Sequence, residues 1–476
     1  MSEQLSRVLL GPAQCAVDLG DGSERGPYVG QDYILRRMGR PHRAVNLMYC
    51  YFPLDREWPA RISEVTRTAD DTNAWGYAYD DYFPFHGEEP FRQMRDIRQH
   101  GQDVILTLTC DPAVSDEQIR GIARSLRPYG RLMLRLNHEC TGTWFACNKR
   151  NTYQEVADFF VRFLGIMKET APNVRMILCA GAVQAPGDTE LEKEREFLEA
   201  SLKTDIWSID QYTALNWGWP AEVAEKDNRN HRAGPVKDSF AQVRRTFDRY
   251  LVLNGGEAKP MLVSEFNDDG DVLGPMAQCE RVRQYYDLAE TEGRGWLSGV
   301  TMYQFRDDGR LGLEATDPND PSVGVAQPLL AVYRELIHRP AFLPAMTEAE
   351  EVSLPAPMRW GGAEDAEGVG LRLDLKGQPV FCEAVFEGPL KDMSLLLTLN
   401  GGWFMKKPGV TRVDLLPAFW ERPLTGPRSL TLALFAPPPE GINPDDGTSD
   451  WDINYRAALP ALPGLRIRYE GCLPMC

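Results

Sequence analysis

From about residue 40 to residue 338 the chain alternates between short apolar runs and longer amphipathic stretches. The runs fall at 44–51, 103–109, 131–136, 174–180, 206–212, 260–266 and 299–305. They are rich in Val, Ile, Leu and Met and show little alternation of polar with apolar positions. That is the pattern of parallel strands covered on both faces. Between them lie helix signals. Ser115-Asp116-Glu117-Gln118, Thr152-Tyr153-Gln154-Glu155 and Thr189-Glu190-Leu191-Glu192 each open a helix as a capping box. Val156, Phe159, Phe160 and Phe163 share one face at helical spacing. The stretches 237–253, 276–291 and 327–337 read as further helices.

Repeated strand–helix units imply a parallel sheet with right-handed crossovers. Seven strands are placed above. An eighth is expected from the first forty residues, at 14–19 or at 27–31. Eight such units fit a (β/α)8 TIM barrel. A doubly wound open sheet is the competitor, but no GxGxxG or Walker-type loop follows an early strand.

The texture changes at 339–358. Pro340, Pro344, Pro355 and Pro357 punctuate the acidic Glu348-Ala349-Glu350-Glu351, as in a linker. Beyond it, short runs at 368–375, 380–386, 393–399, 411–416, 429–435 and 465–469 are spaced by Gly, Pro and Asn. They read as antiparallel strands of a small sandwich. The expected division is a barrel over 1–344 and a C-terminal β-sandwich over 345–476.

Composition narrows the partners. The chain has 52 Lys and Arg against 69 Asp and Glu, a formal charge of −17. Nucleic acids and anionic membranes both need a basic face, so neither is expected. No apolar run reaches the roughly 18 residues of a membrane span. The N-terminal stretch lacks a basic segment followed by an apolar core, so no signal peptide is read and a cytoplasmic location is expected. The ten cysteines are scattered, which fits free buried thiols; Cys140 and Cys147 are close enough in sequence to bridge but nothing demands it. The six histidines form no HxxxH or HExxH pattern, so no metal and no organic cofactor is expected. Oligomeric state is left open.

Barrel enzymes carry their chemistry at the C-terminal strand ends. Two runs end in glutamate. Leu132-Met133-Leu134-Arg135-Leu136-Asn137-His138 leads to Glu139, and Met261-Leu262-Val263-Ser264 leads to Glu265. The two glutamates are 126 positions apart on separate strands, so the two carboxyls are expected to face one another across the barrel mouth. Glycosidic bond cleavage needs such a pair, one protonated to release the leaving oxygen and one ionised to attack or stabilise the sugar C1. Mutual repulsion raises the pKa of the acid partner. Arg135, Asn137 and Glu139 share strand parity, so a guanidinium is available to hold a neighbouring carboxylate ionised. Asp111, Asp210, Asp307 and Asp308 also sit near strand ends, where a solvated position is the expectation. Sugars stack C–H faces on aromatic rings, and Trp75 in the long 70–86 loop and Trp217 after the run at 206–212 are candidates.

The run Arg135-Leu136-Asn137-His138-Glu139-Cys140-Thr141-Gly142-Thr143-Trp144 resembles the Arg-x-x-His-Glu-x-Asn-Gly-x-Trp strand-four signature of glycoside hydrolase family 26, with Thr141 where the family has Asn. The resemblance spans roughly 95–310. That family belongs to clan A, retaining barrel glycosidases with catalytic glutamates on strands four and seven. The resemblance implies Glu139 as acid/base and Glu265 as nucleophile, with His138 beside the sugar or nucleophile. It also implies Tyr212 hydrogen-bonded to the nucleophile and Trp144 lining the groove. A carbohydrate of mannan, glucan or xylan type is the implied substrate. The alternatives are a non-catalytic carbohydrate-binding barrel, or a transglycosylase or lyase using the same carboxylates.

Overall fold

The computed structural model describes residues 5–22, 27–58, 89–142, 146–216, 231–307, 311–443, 451 and 455–469. Eight parallel strands close a barrel: Ala16–Gly20, Ala44–Tyr51, Asp103–Cys110, Leu132–Leu136, Val174–Cys179, Ile206–Tyr212, Met261–Asn267 and Leu297–Met302. The last pairs with the first through Gly299–Ala16 to Met302–Leu19. Each is followed by a helix, in order Gln31–Met38, Phe91–Gln99, Asp116–Leu126, Tyr153–Thr170, Glu194–Lys203, Val236–Leu253, Pro275–Thr291 and Pro328–Ile337. The expected (β/α)8 barrel is therefore present, and its first strand is the earlier of the two candidates. Residues 27–31 form no strand, and Gln31 instead opens a helix.

Two of the three expected capping boxes form as read. Ser115 with Gln118 and Thr152 with Glu155 make both reciprocal bonds. The third does not. The helix begins at Glu194, after Lys193 in a left-handed conformation, because the Glu194 carboxylate caps the Leu191 N–H and is gripped by Arg249. The ion pair from a neighbouring helix moved the start beyond the Thr189 signal.

Inside the barrel the strands stack residues in layers. Ala44, Ile105, Met133, Ile177, Ile206 and Leu262 make an apolar layer at the N-terminal end, with Trp451 packed on it. One step up, the inward positions turn polar, with Asn46, Thr107, Arg135 and Ser208 all buried. That change from apolar to polar is where the chemistry begins.

The C-terminal unit is a sandwich. One sheet runs Ala345–Glu351, Leu5–Gly11, Asp365–Leu375, Arg428–Phe435, Leu395–Leu399 and Gly402–Lys406, with Ala356–Gly362 and Tyr455–Leu459 off this path. The facing sheet is Arg412–Asp414, Phe381–Val385 and Gly464–Arg468. Leu371, Leu373, Leu397, Phe386 and Leu434 fill the space between. Two expectations change here. The segment read as a linker holds a strand, Ala345–Glu351, paired antiparallel to Leu5–Gly11. All seven of its residues are exposed, so no apolar signal marked it. The strand Leu5–Gly11 is hydrogen-bonded on its other side to Asp365–Leu375. The division at 344/345 leaves that strand on the barrel side, whereas its partners are all sandwich strands.

The outer face of the larger sheet packs on the barrel. Trp360 and Leu396 close over Gly101, at the turn before the third barrel strand, where an added Cβ would lie 2.6 Å from the indole. Gly101 also has φ 78°, so glycine is required twice over. Arg98 donates to Asp103 at 2.6 Å, and Arg131 pairs with Asp365 across the boundary. Trp360 and Trp296 are buried in packing roles. The eight cysteines among the described residues are free and buried. No described helix is long and apolar enough to cross a membrane.

Candidate active site

The C-terminal ends of strands four, six and seven converge on one buried cation. Arg135, fully buried, projects inward from strand four. Its Nε donates to Thr107 Oγ1 at 2.8 Å, its Nη1 to Asp210 Oδ1 and Oδ2 at 2.9 and 3.1 Å, and its Nη2 to Glu265 Oε1 at 2.5 Å. Thr107 in turn donates to Asn46 Oδ1 at 2.7 Å, which fixes the direction of its lone pairs. Burial alone would lower the guanidinium's pKa. The charges of Asp210 and Glu265 outweigh that and raise it, so Arg135 stays charged.

Glu265 reaches this cation through a break in strand geometry. Strict alternation would put Ser264 inside the barrel and Glu265 outside. The register of strand seven shifts between Val263 and Glu265 against strand six, and between Val263 and Phe266 against strand eight. This bulge turns both residues inward. Ser264 Oγ donates to Asp210 Oδ1 at 2.6 Å, while Glu265 takes Arg135 on one oxygen and the Tyr212 hydroxyl on the other, at 2.8 Å. Tyr212 is itself braced edge-on against Tyr303 after strand eight, with ring centroids 5.9 Å apart. Burial first, and the Glu265 charge second, push the Tyr212 phenol well above its ordinary pKa. It is therefore a permanent donor to the carboxylate.

Strand four ends differently. After Leu136 the backbone leaves the strand, and Asn137 and Glu139 take left-handed conformations with φ 46° and 50°. Such a conformation costs a non-glycine residue about 1–3 kcal/mol and persists only where surroundings enforce it. Here the enforcement is visible in three bonds. Asn137 Oδ1 accepts from Cys110 N at 2.7 Å, Cys140 N donates to Cys179 O at 3.3 Å, and Gly142 N donates to Glu139 O at 2.9 Å. The shared parity expected of Arg135, Asn137 and Glu139 is thus broken. Asn137 spends its carbonyl on strand three and is 2% exposed, whereas Glu139 is half-exposed at the rim. His138 is buried, with Nε2 3.7 Å from Glu265 Oε1. Burial and then the Arg135 charge hold its pKa well below the ordinary value, so the ring is neutral.

His138, Asp210 and Glu265 carry ligand-type atoms within 4.8 Å of one another. The positive charge among them is already the Arg135 guanidinium, which is bonded to both carboxylates. A second group stands nearby. Arg150 donates to Asp111 Oδ2 at 2.7 Å and lies over Trp58 at 4.7 Å and Phe52 at 5.7 Å. Phe52, Trp58, Tyr303 and Tyr212 belong to one apolar cluster, which runs from this arginine to the Glu265 support.

Of the candidate site residues, Arg135, His138, Tyr212 and Glu265 come together in one group, while Asn137 is bonded to strand three and Glu139 stands just past the end of strand four. Trp75, Trp144 and Trp217 lie outside the described residues. Asp210, expected to be solvated, is instead a buried partner of the central cation. The signal was present in Asp210-Gln211-Tyr212, because Asp210 shares strand parity with Tyr212. Asp111 and Asp307 are likewise buried, contrary to a solvated reading.

No protein-family model matches the chain, and no curated protein matches its sequence. Among solved structures, the chain is similar to a family 39 glycoside hydrolase from the gut symbiont Bacteroides cellulosilyticus WH2. That match has 12% identity and a TM-score of 0.43, over 88% of this chain and 80% of the other. It is similar to a family 26 β-mannanase from Bacteroides ovatus at 11% identity and TM-score 0.42, over 69% and 90%. It is similar also to a family 51 arabinofuranosidase from Xanthomonas axonopodis pv. citri at 12% and 0.45, over 91% and 98%. At these scores the likeness adds nothing to the barrel and sandwich already described.

Proposed function

We propose that this protein is a retaining glycoside hydrolase acting on a β-linked oligo- or polysaccharide. The observation that carries the reading is the holding of Glu265: one oxygen on a fully buried guanidinium, the other on a phenol that stays protonated. Two strong donors keep this carboxylate ionised and fix its direction, which is what a nucleophile toward C1 requires. Glu139 supplies the second carboxyl. It lies half-buried just past the end of strand four, at the same end of the barrel, as the group that would protonate a leaving oxygen. In the first step Glu265 attacks C1 as Glu139 gives its proton to the departing sugar. In the second, Glu139 takes a proton from water, which displaces Glu265. Mannan, glucan and xylan are the substrate classes in view, by the resemblance of the strand-four motif.

The test is product release from β-mannan, β-glucan and β-xylan oligosaccharides, with Glu265→Gln beside the parent. Cleavage of one class with the β-anomer formed first, lost in the variant, supports the proposal. Cleavage surviving the variant overturns the nucleophile. An unsaturated product would mean a lyase, and lengthened products a transglycosylase.

A further inference from the structure

Arg135 is one cation shared by two carboxylates. Asp210 takes both its contacts from Nη1, Glu265 takes Nη2, and a carboxylate oxygen of each lies within 4.8 Å of the other. Side-chain exposure is 0% for Arg135, 2% for Asp210 and 7% for Glu265, so water screens none of these charges well. Asp210 is not adrift in this arrangement. Ser264, the residue before Glu265, donates to it at 2.6 Å, and Ser264 is itself 3.0 Å from Ser208 on strand six.

We propose that Asp210 is a positioning residue that tunes Glu265 by holding back part of the Arg135 charge. This rests on the reading of Glu265 as nucleophile. A carboxylate bonded to an unshared buried guanidinium is held strongly ionised and is correspondingly a weak nucleophile. A second carboxylate on the same cation opposes that. It returns basicity to Glu265 while the guanidinium still fixes its direction. Asp210 has a second effect once Glu265 is covalently esterified and neutral. Arg135 then keeps a full counter-ion, so the sugar intermediate does not sit beside an unpaired buried cation. The other groups facing Glu265 do not supply this. His138 from the end of strand four is neutral, Tyr212 from strand six is a phenol whose pKa burial and the Glu265 charge push up, and Cys179 at the end of strand five is a thiol pushed up by burial. The three Arg135 nitrogens are bonded to Thr107, Asp210 and Glu265, and Glu139 is the proton donor of the proposed first step.

The experiment follows the Glu265 carboxyl directly, by NMR of full-length protein labelled with side-chain ¹³C glutamate and assigned through Glu265→Gln. In Asp210→Asn the Glu265 titration should fall by about one pH unit. With any aryl β-glycoside the parent cleaves, the acid limb of kcat/KM should fall by the same amount and kcat about tenfold. Asp210→Glu, which restores the charge, should return the titration toward that of the parent. If Asp210→Asn does not fold, Ser264→Ala takes its place. There Asp210 leans harder on Arg135, and the Glu265 titration should rise. An unmoved titration in a folded variant overturns the proposal, even if activity drops. A shifted titration in a protein that cleaves no glycoside upholds the coupling and counts against the glycosidase reading.

Discussion

Buried arginine–carboxylate pairs occur at both ends of the barrel, but they are matched differently. At the N-terminal end, Arg43 pairs with Asp18, Arg98 with Asp103 and Arg131 with Asp365. Arg43 and Arg98 are each matched to one carboxylate, while Asp365 of the sandwich takes Arg359 as well as Arg131. At the C-terminal end, a single Arg135 serves both Asp210 and Glu265. One-to-one pairing closes a surface, because removing either partner strands a buried charge. Two-to-one pairing leaves negative charge uncompensated inside a cleft. That costs stability and is tolerated where the charge is used.

If this contrast is real, substitutions at the two ends should separate activity from stability. The largest effect is expected from Glu265→Gln. It should lower glycoside cleavage by on the order of 10⁴-fold, while the melting temperature stays level or rises, because one of two crowded charges is gone. A fall in melting temperature would mean Glu265 is structural. Next is Arg98→Ala, which leaves Asp103 buried and unpaired. It should cost about 3–5 kcal/mol in chemical denaturation with turnover per folded molecule unchanged.

A smaller effect should appear in the pH dependence of stability. His100 is buried between Asp32 and Asp96, and Asp32 is also bonded by Lys407 of the sandwich. Burial would lower the His100 pKa, but hydrogen bonds to Asp32 and Asp96 raise it to about 9. A raised folded pKa stabilises fully below the unfolded value and is lost as pH rises through the folded one. The loss should therefore run from about pH 6.5 to 9 and amount to about 3 kcal/mol. Calorimetry across that window should show it in the parent and not in His100→Gln.

The smallest effect is expected at Glu364, which lines a cavity of about 420 Å³ between the barrel base and the sandwich. Burial raises its pKa, so its stabilising contribution also fades with rising pH. Glu364→Gln should be neutral at pH 4 and stabilising at pH 8, read by thermal denaturation at the two pH values. A loss at pH 8 would mean the carboxylate is paired there.

Much of the barrel was legible because fully covered parallel strands must be apolar along their length. Residues 44–51 and 206–212 were bounded to the residue. Glu139 and Glu265 were legible because each ends such a run. What could not be read depended on partners distant in sequence. The bulge that turns Glu265 inward follows from pairing with both neighbours. The burial of Asp210 follows from an arginine 75 positions away. The strand at Ala345–Glu351 carries no apolar stripe because both its faces are exposed: its backbone is paired to Leu5–Gly11 and its side-chain contacts are polar, Glu348 with Ser6 and Glu350 with Arg7.

That backbone engagement has a consequence for how the chain is made. The strand Leu5–Gly11 is made before any of the barrel, yet the strands on either side of it are more than 330 positions downstream. Its N–H and C=O groups must wait, unpaired, through synthesis of the whole barrel. The sandwich cannot complete itself from its own contiguous stretch. A gene fragment covering only the barrel would carry an orphan strand, and one covering only the remainder would lack the strand that joins Ala345–Glu351 to the rest of its sheet. The two units are sewn together by their opening stitch, so evolution would find them hard to shuffle apart.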